Sequence, residues 1–440
     1  MRIAYSIFIK CGKPQRNALI RQPLRAATFP QGKAFRPGHS KSSLPHSAAS
    51  IYLRTMPRQK IFLEFCRRLC YYDKSDFVTI FEVTTPMPIR DAALAFRTSG
   101  TPVSWREFGQ GHINQTLKLT TDTGAEYILQ RINQYVFHNP VQLMENACAI
   151  TDFLRTKDPD PRHSLHFIPT RDGLSCYRDS DGEFWRMYEF VEGLSLDTPE
   201  TETDLYESAL AFGRFQMLLT DFPAASLHET IPEFHNTVDR YRLLRESIQK
   251  DACGRLRNIQ PELEFIMAHE ELACTLQRMR ERGELPLRVT HNDTKLNNVL
   301  LDSATRRGLC VLDLDTVMPG LSLYDFGDSI RFGASTGSES GLNSRLDLHL
   351  FQVYTEGFLS SATNLTQKEV DMLPLSTFVI TLELATRFLK DYLDGDLYFK
   401  TSYPEENLHR AQGQIALAAD MLQKQQEMAR IVSAIRCRVS

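Results

Sequence analysis

Two kinds of hydrophobic spacing divide this chain. Residues 1–74 show little sustained periodicity, the stretch from about 104 to 193 reads as strands around one helix, and beyond it the apolar positions recur at helical spacing. Residues 116–120 and 126–132 alternate around a turn signal at 122–124, which predicts two paired strands. Residues 139–156 follow with Asn139 as N-cap and Pro140 at the first helical position. Val141, Leu143, Met144, Ala147, Ile150, Phe153 and Leu154 then mark one helix face. "LSCYRD" and "EFWRMYEFVEG" predict a hairpin that ends in a buried strand at 187–191. After Gly193, long amphipathic helices are expected at 203–219, 237–251, 261–282, 346–360 and 373–393. Strands first and helices later imply an α+β chain of two lobes with a hinge near residue 193. No internal repeat is visible.

Inside the helical half, "NVLL" (298–301) and "LCVLD" (309–313) are two short apolar runs separated by the polar turn "DSATRRG", which predicts a second hairpin. That pairing brings Asn298, at the entry of one strand, close to Asp313, at the exit of the other. The preceding loop "HNDTKLNN" sets Asp293 beside both. Two acids and an amide at converging chain ends suit transfer of a phosphoryl group from a magnesium nucleotide. Magnesium takes hard oxygen ligands alongside phosphate oxygens, while a separate carboxylate orients the attacking hydroxyl.

Composition narrows the alternatives. At 440 residues, with 42% hydrophobic and 24% charged, the chain is globular and long enough for two cores. No apolar run stands out at bilayer length, so no membrane association is expected. The net charge of −3 hides an asymmetry: residues 1–74 hold 15 Lys and Arg against Glu64 and Asp73, leaving −16 on the remainder. An acidic body argues against nucleic acid as a partner. The basic segment reads as a disordered tail, an organelle-targeting segment or the product of an early start codon, on an otherwise cytoplasmic protein. "IAYSIFI" after Arg2 is short for a secretion signal, and "KCGK" follows where small residues belong. Nine scattered cysteines without a CxxC pair read as reduced, mostly buried thiols.

His291-x-Asp293-x-x-x-x-Asn298, followed by Asp313, resembles the catalytic segment of the protein-kinase-like superfamily and, within it, the aminoglycoside phosphotransferase family. "HNDTKLNNVLLD", "VLDLDTVMPG", "YDFGDSIR" and "DYLDGDLYFKTSYPEENLHRA" together look like the N-acetylhexosamine 1-kinases, over about residues 93–430. The resemblance implies a two-lobed protein-kinase-like fold with a small sheet-plus-helix lobe and a larger, mainly helical one. The expected divisions are a basic extension at 1–88, a nucleotide-covering lobe at 89–193 and a catalytic and substrate lobe at 194–430. Asp293 would be the base, and Asn298 and Asp313 would hold Mg2+ against ATP. Asp315 is either a further metal ligand or a cap for the Pro319-Gly320 turn. Lys295 either contacts the transferred phosphate or is exposed. His291 is expected to orient the loop, and Asp325 and Asp328 to tie the following helix to it.

On the nucleotide side, Gly109, Gly111 and Asn114 in "FGQGHINQTLKL" let backbone amides approach phosphate, or form a plain tight turn. The strand "YILQRIN" carries Gln130 and Arg131 where a kinase has its lysine. Alternation puts Arg131 on one face and Gln130 on the other. Arg131 with Glu145 is the preferred ion pair, Gln130 with Asn146 the second choice. Tyr188 to Val191 would present backbone groups to adenine. By the same resemblance Arg387, Tyr398 and Thr316 would bind the sugar. His235 and Arg240 line that cleft or simply pack a helix, and Asp391 and Asp394 are either sugar ligands or solvated helix-end acids. The expected activity is transfer of the γ-phosphate to the anomeric hydroxyl of N-acetylglucosamine or N-acetylgalactosamine. Alternatives are a kinase of another small hydroxyl compound, such as an aminoglycoside, choline or another sugar, and a nucleotide-binding protein without turnover. The expected partners are ATP and a small sugar, and the oligomeric state is not set by the sequence.

Overall fold

A computed structural model describes residues 87–109 and 113–439, all within the unit Pro86–Ser440. The basic extension therefore lies outside the described residues except for its last two positions. These open helix α1 (Met87–Ala95), so the expected boundary at residue 88 falls inside a helix.

Strands β1 (Pro102–Glu107), β2 (Gln115–Thr121) and β3 (Glu126–Ile132) form an antiparallel meander. Helix α2 (Pro140–Lys157) follows with Asn139 accepting from the Gln142 amide. Then come β4 (Tyr177–Arg178) and β5 (Phe184–Glu189), which place the last strand earlier than the expected 187–191. The sheet order is β1-β2-β3-β5-β4. Leu117, Leu119, Tyr127, Leu129, Trp185 and Met187 share one face and pack on Ala92, Ala93 and Phe96 of the α1 region. The opposite face carries Thr116, Gln130, Arg186 and Tyr188, and this is the face turned to the cleft, because α1 closes the other.

Helix α3 (Glu202–Leu218) starts at a capping box made by Thr201 and Asp204, and α4 (Thr237–Lys250) starts at Asn236. The helix expected over 261–282 is broken into α5 (Gln260–Ala268), α6 (Glu270–Ala273) and α7 (Thr275–Glu281). The His269 ring bonds the Phe265 carbonyl at 2.8 Å, and the His269 amide falls back on Ile266. A side chain that bonds the carbonyl of the preceding turn disturbs the ladder in this way.

Strand β6 (Arg288–Thr290), the hairpin β7 (Val299–Leu301) and β8 (Gly308–Val311), and β9 (Met318–Gly320) come next. Because β6 pairs with β9 around the β7-β8 hairpin, the loops after β6 and after β8 are held side by side. Helix α8 (Ser322–Gly333), strands β10 (Ser335–Thr336) and β11 (Arg345–Leu346), and helices α9 (Leu348–Ser361), α10 (Gln367–Asp394), α11 (Glu406–Gln423) and α12 (Gln425–Val439) complete the chain. By length and hydropathy α10 is apolar enough to span a bilayer, but it packs against α4, α8, α11 and α12, and most of its apolar stretch is buried inside the lobe. The helical lobe has the largest core, and α2 joins the lobes through Ala147, Ile150 and Leu154, which pack on Phe212, Phe215 and the β7-β8 hairpin.

Candidate active site

The loop after β6 and the loop after β8 are zipped together. His291 Nε2 bonds the Leu312 carbonyl at 2.8 Å, the Leu312 amide donates to the Asn298 carbonyl at 2.7 Å, Asn292 Nδ2 donates to the Thr316 carbonyl at 2.8 Å, and Thr316 Oγ1 donates to the His291 carbonyl at 2.7 Å. Asn292 and Asp313 sit at φ +65° and +52°, a left-handed conformation that Asn and Asp adopt more readily than other side chains. His291 is fully buried and orients the loop, as its sequence context suggested.

Helix α8 holds the first loop from the helical lobe. Asp325 accepts the His291 and Asn292 amides at 3.0 and 2.7 Å and Gln216 Nε2 at 2.6 Å, and its carbonyl takes Thr294 Oγ1. Asp328 accepts the Thr294 amide at 3.0 Å and Arg331 at 2.7 Å. Burial alone would raise Asp328, but the Arg331 guanidinium holds it below the usual carboxylate range. Both acids thus tie helix to loop, in line with expectation.

Asp293, half-buried, emerges from this support. Asn298 Nδ2 donates to its carbonyl at 2.8 Å and to Oδ2 at 3.2 Å, while Lys295 Nζ lies 2.9 Å from Oδ1. Lys295 is therefore neither free in solvent nor independent of the acid. Asp313 opens into the cleft, and among the described residues its carboxylate makes no hydrogen bond. The protein mass around the cleft, then the nearby carboxylates of Asp315 and Asp293, push it up to about 7. A carboxylate in that position is held short of a cation. The amide nitrogen of Asn298 is spent on Asp293, which leaves its oxygen, a hard donor like the Asp313 carboxylate, for a ligand. Among the described residues no three acidic, histidine or cysteine side chains gather as a metal cage. One carboxylate plus one amide oxygen fits a cation that completes its shell with water and phosphate.

Asp315 differs from Asp313. It is buried, its Oδ2 accepts Asn114 Nδ2 at 2.7 Å, and its Oδ1 accepts Arg186 Nη1. Both oxygens face protein donors, and neither caps the Pro319-Gly320 turn. Thr316 is committed to the loop zipper through its hydroxyl.

The nucleotide side corrects one expectation. Arg131 is exposed on the α1 face, and Glu145 bonds His228 at 2.8 Å, so the preferred pair does not form. Gln130 and Asn146 do not pair either. Asn146 is buried and bonds the His228 and Val317 backbones, while Gln130 bonds Thr116 Oγ1 and accepts from Arg186 Nε, both at 2.9 Å. The cation on the cleft face is Arg186, from β5. An arginine between Trp185 and Met187 in a buried strand was the sequence signal for it, since such residues are buried only when paired. Gly109 has φ +77°, which demands glycine, and Gly111 lies outside the described residues. Asn114 links the end of this loop to Asp315 and to the Asn133 amide. Tyr188 packs edge-on to Phe167, and Val191, partly buried, follows on the connection to the helical lobe.

On α10, the Arg387 guanidinium lies 5.1 Å from the Phe234 ring, 5.9 Å from Tyr398 and 5.6 Å from Phe399. Burial and, next, Arg387 push Arg240 below the ordinary guanidinium range. Glu383, buried on α10, bonds His235 Nδ1 at 2.9 Å and Thr237 Oγ1 at 2.8 Å. Asp391 is no solvated helix-end acid. It is buried and accepts the Leu397, Tyr398 and Phe399 amides at 2.8 to 3.0 Å, which fixes the loop bearing Tyr398. Asp394 pairs with Lys390.

A small antiparallel sheet lobe hinged to a helical lobe, with acids from two loops meeting at the junction, defines a kinase-like fold. The profile of the phosphotransferase enzyme family matches residues 104–356, and the chain belongs to that family. Among solved structures, a microcompartment-associated aminopropanol kinase is 20% identical, covering 80% of this chain and 99% of its own, with a TM-score of 0.51. An aminoglycoside phosphotransferase from Alicyclobacillus acidocaldarius is 14% identical over 84% of this chain and 99% of its own, with a TM-score of 0.50. An amicoumacin kinase in complex with AMP-PNP and Ca2+ is 12% identical over 76% of this chain and 93% of its own, with a TM-score of 0.51.

Proposed function

We propose that the protein is an ATP-dependent small-molecule kinase that phosphorylates the anomeric hydroxyl of an N-acetylhexosamine, N-acetylglucosamine or N-acetylgalactosamine, to give the 1-phosphate and ADP. The observation that carries the phosphotransfer reading is the meeting of Asp293, Asn298 and Asp313 on two zipped loops, with Asn298 bonded to Asp293 and Asp313 left without a protein partner among the described residues.

Asp293 accepts the proton of the sugar hydroxyl as that oxygen bonds to the γ-phosphorus. The bond from phosphorus to the β,γ-bridging oxygen breaks, and ADP leaves with its electron pair. Lys295, with its Nζ 2.9 Å from Asp293 Oδ1, holds that carboxylate in place and leaves Oδ2 to meet the hydroxyl. Asn298 and Asp313 would hold Mg2+, which when bound neutralises the phosphate charge. Gly109 and Asn114 lie on the loop toward the phosphates, and the backbone from Tyr188 to Val191 is the region for adenine. Catalysis of this kind is mostly positioning and charge neutralisation.

Arg387 within a ring of Phe234, Tyr398 and Phe399, with Arg240 beside it, supports an uncharged sugar whose oxygens accept hydrogen bonds. The fold neighbours, named for aminopropanol and an aminoglycoside, favour a second reading, a kinase of an amine-bearing alcohol. Two adjacent arginines repel such a cation, and on that ground the sugar is preferred. An acceptor panel with ATP and magnesium tests the choice. N-acetylglucosamine or N-acetylgalactosamine is expected to turn over at least about tenfold faster than aminopropanol, choline or an aminoglycoside, a difference one well-placed polar contact can supply. A faster amine would overturn the sugar assignment and leave the phosphotransfer reading standing.

A further inference from the structure

Arg186 is 2% exposed and sits on the cleft face of β5, directly opposite Gln130 of β3. Its guanidinium closes a ring of polar contacts. Thr116 on β2 accepts from Gln130, Gln130 accepts from Arg186 Nε, and Arg186 Nη1 donates to Asp315 Oδ1. Asp315 Oδ2 in turn accepts from Asn114, whose own oxygen takes the Asn133 amide at the end of β3. The ring thus joins three strands of the sheet lobe, the end of the glycine-bearing loop and the loop that carries Asp313.

Burial alone would disfavour the Arg186 charge, and Asp315 more than offsets this. Protein kinases take the corresponding cation from a lysine on β3 and pair it with a helix glutamate. Here β3 offers a glutamine, and Glu145 on α2 points away to His228. The partner is an acid two residues past Asp313. We propose that Arg186 is the positioning residue that fixes the sheet lobe to the metal loop, and that Asp315 serves as its counter-ion rather than as a metal ligand. Arg186 sets where Asp313 stands relative to the nucleotide-covering strands without touching the reacting atoms. A planar guanidinium suits this role, because it bonds Gln130 and Asp315 at once from a fixed fork, which a lysine cannot do.

The inference rests on the phosphotransfer reading of the two loops but not on the acceptor, so its test uses no acceptor. The full chain is compared with Arg186→Met, Asp315→Leu, the double variant and Arg186→Lys. Two quantities are read: amide exchange in residues 115–132 and 312–317, and ADP affinity with and without magnesium. Each single change is expected to speed exchange in both segments and to weaken ADP binding about tenfold even without a divalent ion, as loss of one partner of a buried pair does. The double variant should be no worse than the weaker single, and Arg186→Lys should recover only part of the loss. The apolar double variant is the folding control, since removing both charges avoids a lone buried ion. A single variant that fails to fold while the double folds supports the pair. Exchange that rises on one side only, in 115–132 alone for Arg186→Met or in 312–317 alone for Asp315→Leu, or effects that simply add in the double variant, would overturn the proposal. So would an Asp315→Leu protein that loses only the magnesium-dependent part of ADP binding, because that is the behaviour of a metal ligand.

Discussion

Asp325 and Asp328 in the first two turns of α8, and Asp293 and Asp313 on the loops beside them, belong to one site and are treated oppositely. Asp325 accepts two loop amides and a glutamine, and Asp328 takes a loop amide and an arginine. Asp293 has one amide and one lysine, and Asp313 has no hydrogen bond among the described residues. The acids that hold the loops are saturated by protein donors, while the acids proposed to act between them keep lone pairs for ligands. Saturation lowers the folded-state energy, and a carboxylate kept among other carboxylates raises it, so stability and chemistry reside on different residues.

Substitution can separate the two sets. Asp313→Asn is expected to cut turnover by about 10^3-fold, the scale for losing one preorganised charge contact. It should leave the melting temperature unchanged or higher, because the cost of holding a charge inside the protein and, next, the repulsion from Asp315 and Asp293 are relieved. Steady-state rates with a thermal melt read both, and a large loss of stability would place Asp313 among the structural acids. Asp325→Asn should behave in the reverse sense. It turns an acceptor into a donor facing a buried amide and should cost about 2–4 kcal/mol in denaturant unfolding, in line with unmet buried partners. An effect below about 0.5 kcal/mol would show that the loop does not depend on α8.

The smallest effect is expected at the surface, where Glu202 bonds His349 at 2.9 Å and raises the imidazole above its ordinary range. A raised base contributes stability that is fully present below the ordinary imidazole value and fades as pH rises through the raised one. His349→Ala should therefore slightly flatten the stability profile across that window and change nothing at higher pH. A profile that steepens would reverse the sign of the coupling. Because both groups are in water, the change should be slight beside that of Asp325→Asn.

The parts of this site that could be read from the chain are those encoded locally. Asn139 and Pro140 start α2 where they should, β3 runs over the expected residues, and the hairpin at 298–313 brings the two acidic loops together. Helix caps and alternating strands act over a few residues, so a window of sequence contains them. Arg186 escaped for a different reason. Alternation assigns Gln130 and Arg131 to opposite faces but does not say which face α1 will cover, and that choice decides which cation meets the cleft. The Asn114 to Asp315 bond spans 201 residues and exists only once the lobes meet. The break at His269 depends on a side chain turning back on its own helix, which periodicity does not register. The buried role of Asp391 comes from a returning loop and was hidden in the same way.

The most direct test incubates the full chain with N-acetylglucosamine, ATP and magnesium and follows the phosphorus signal of the product, in the wild-type protein and in Asp293→Asn. The account predicts a sugar 1-phosphate and ADP from the wild type. It predicts a loss of about 10^2- to 10^4-fold in Asp293→Asn, the range for removing a general base, with ADP affinity kept within about threefold. A variant that transfers phosphate at the wild-type rate would contradict it.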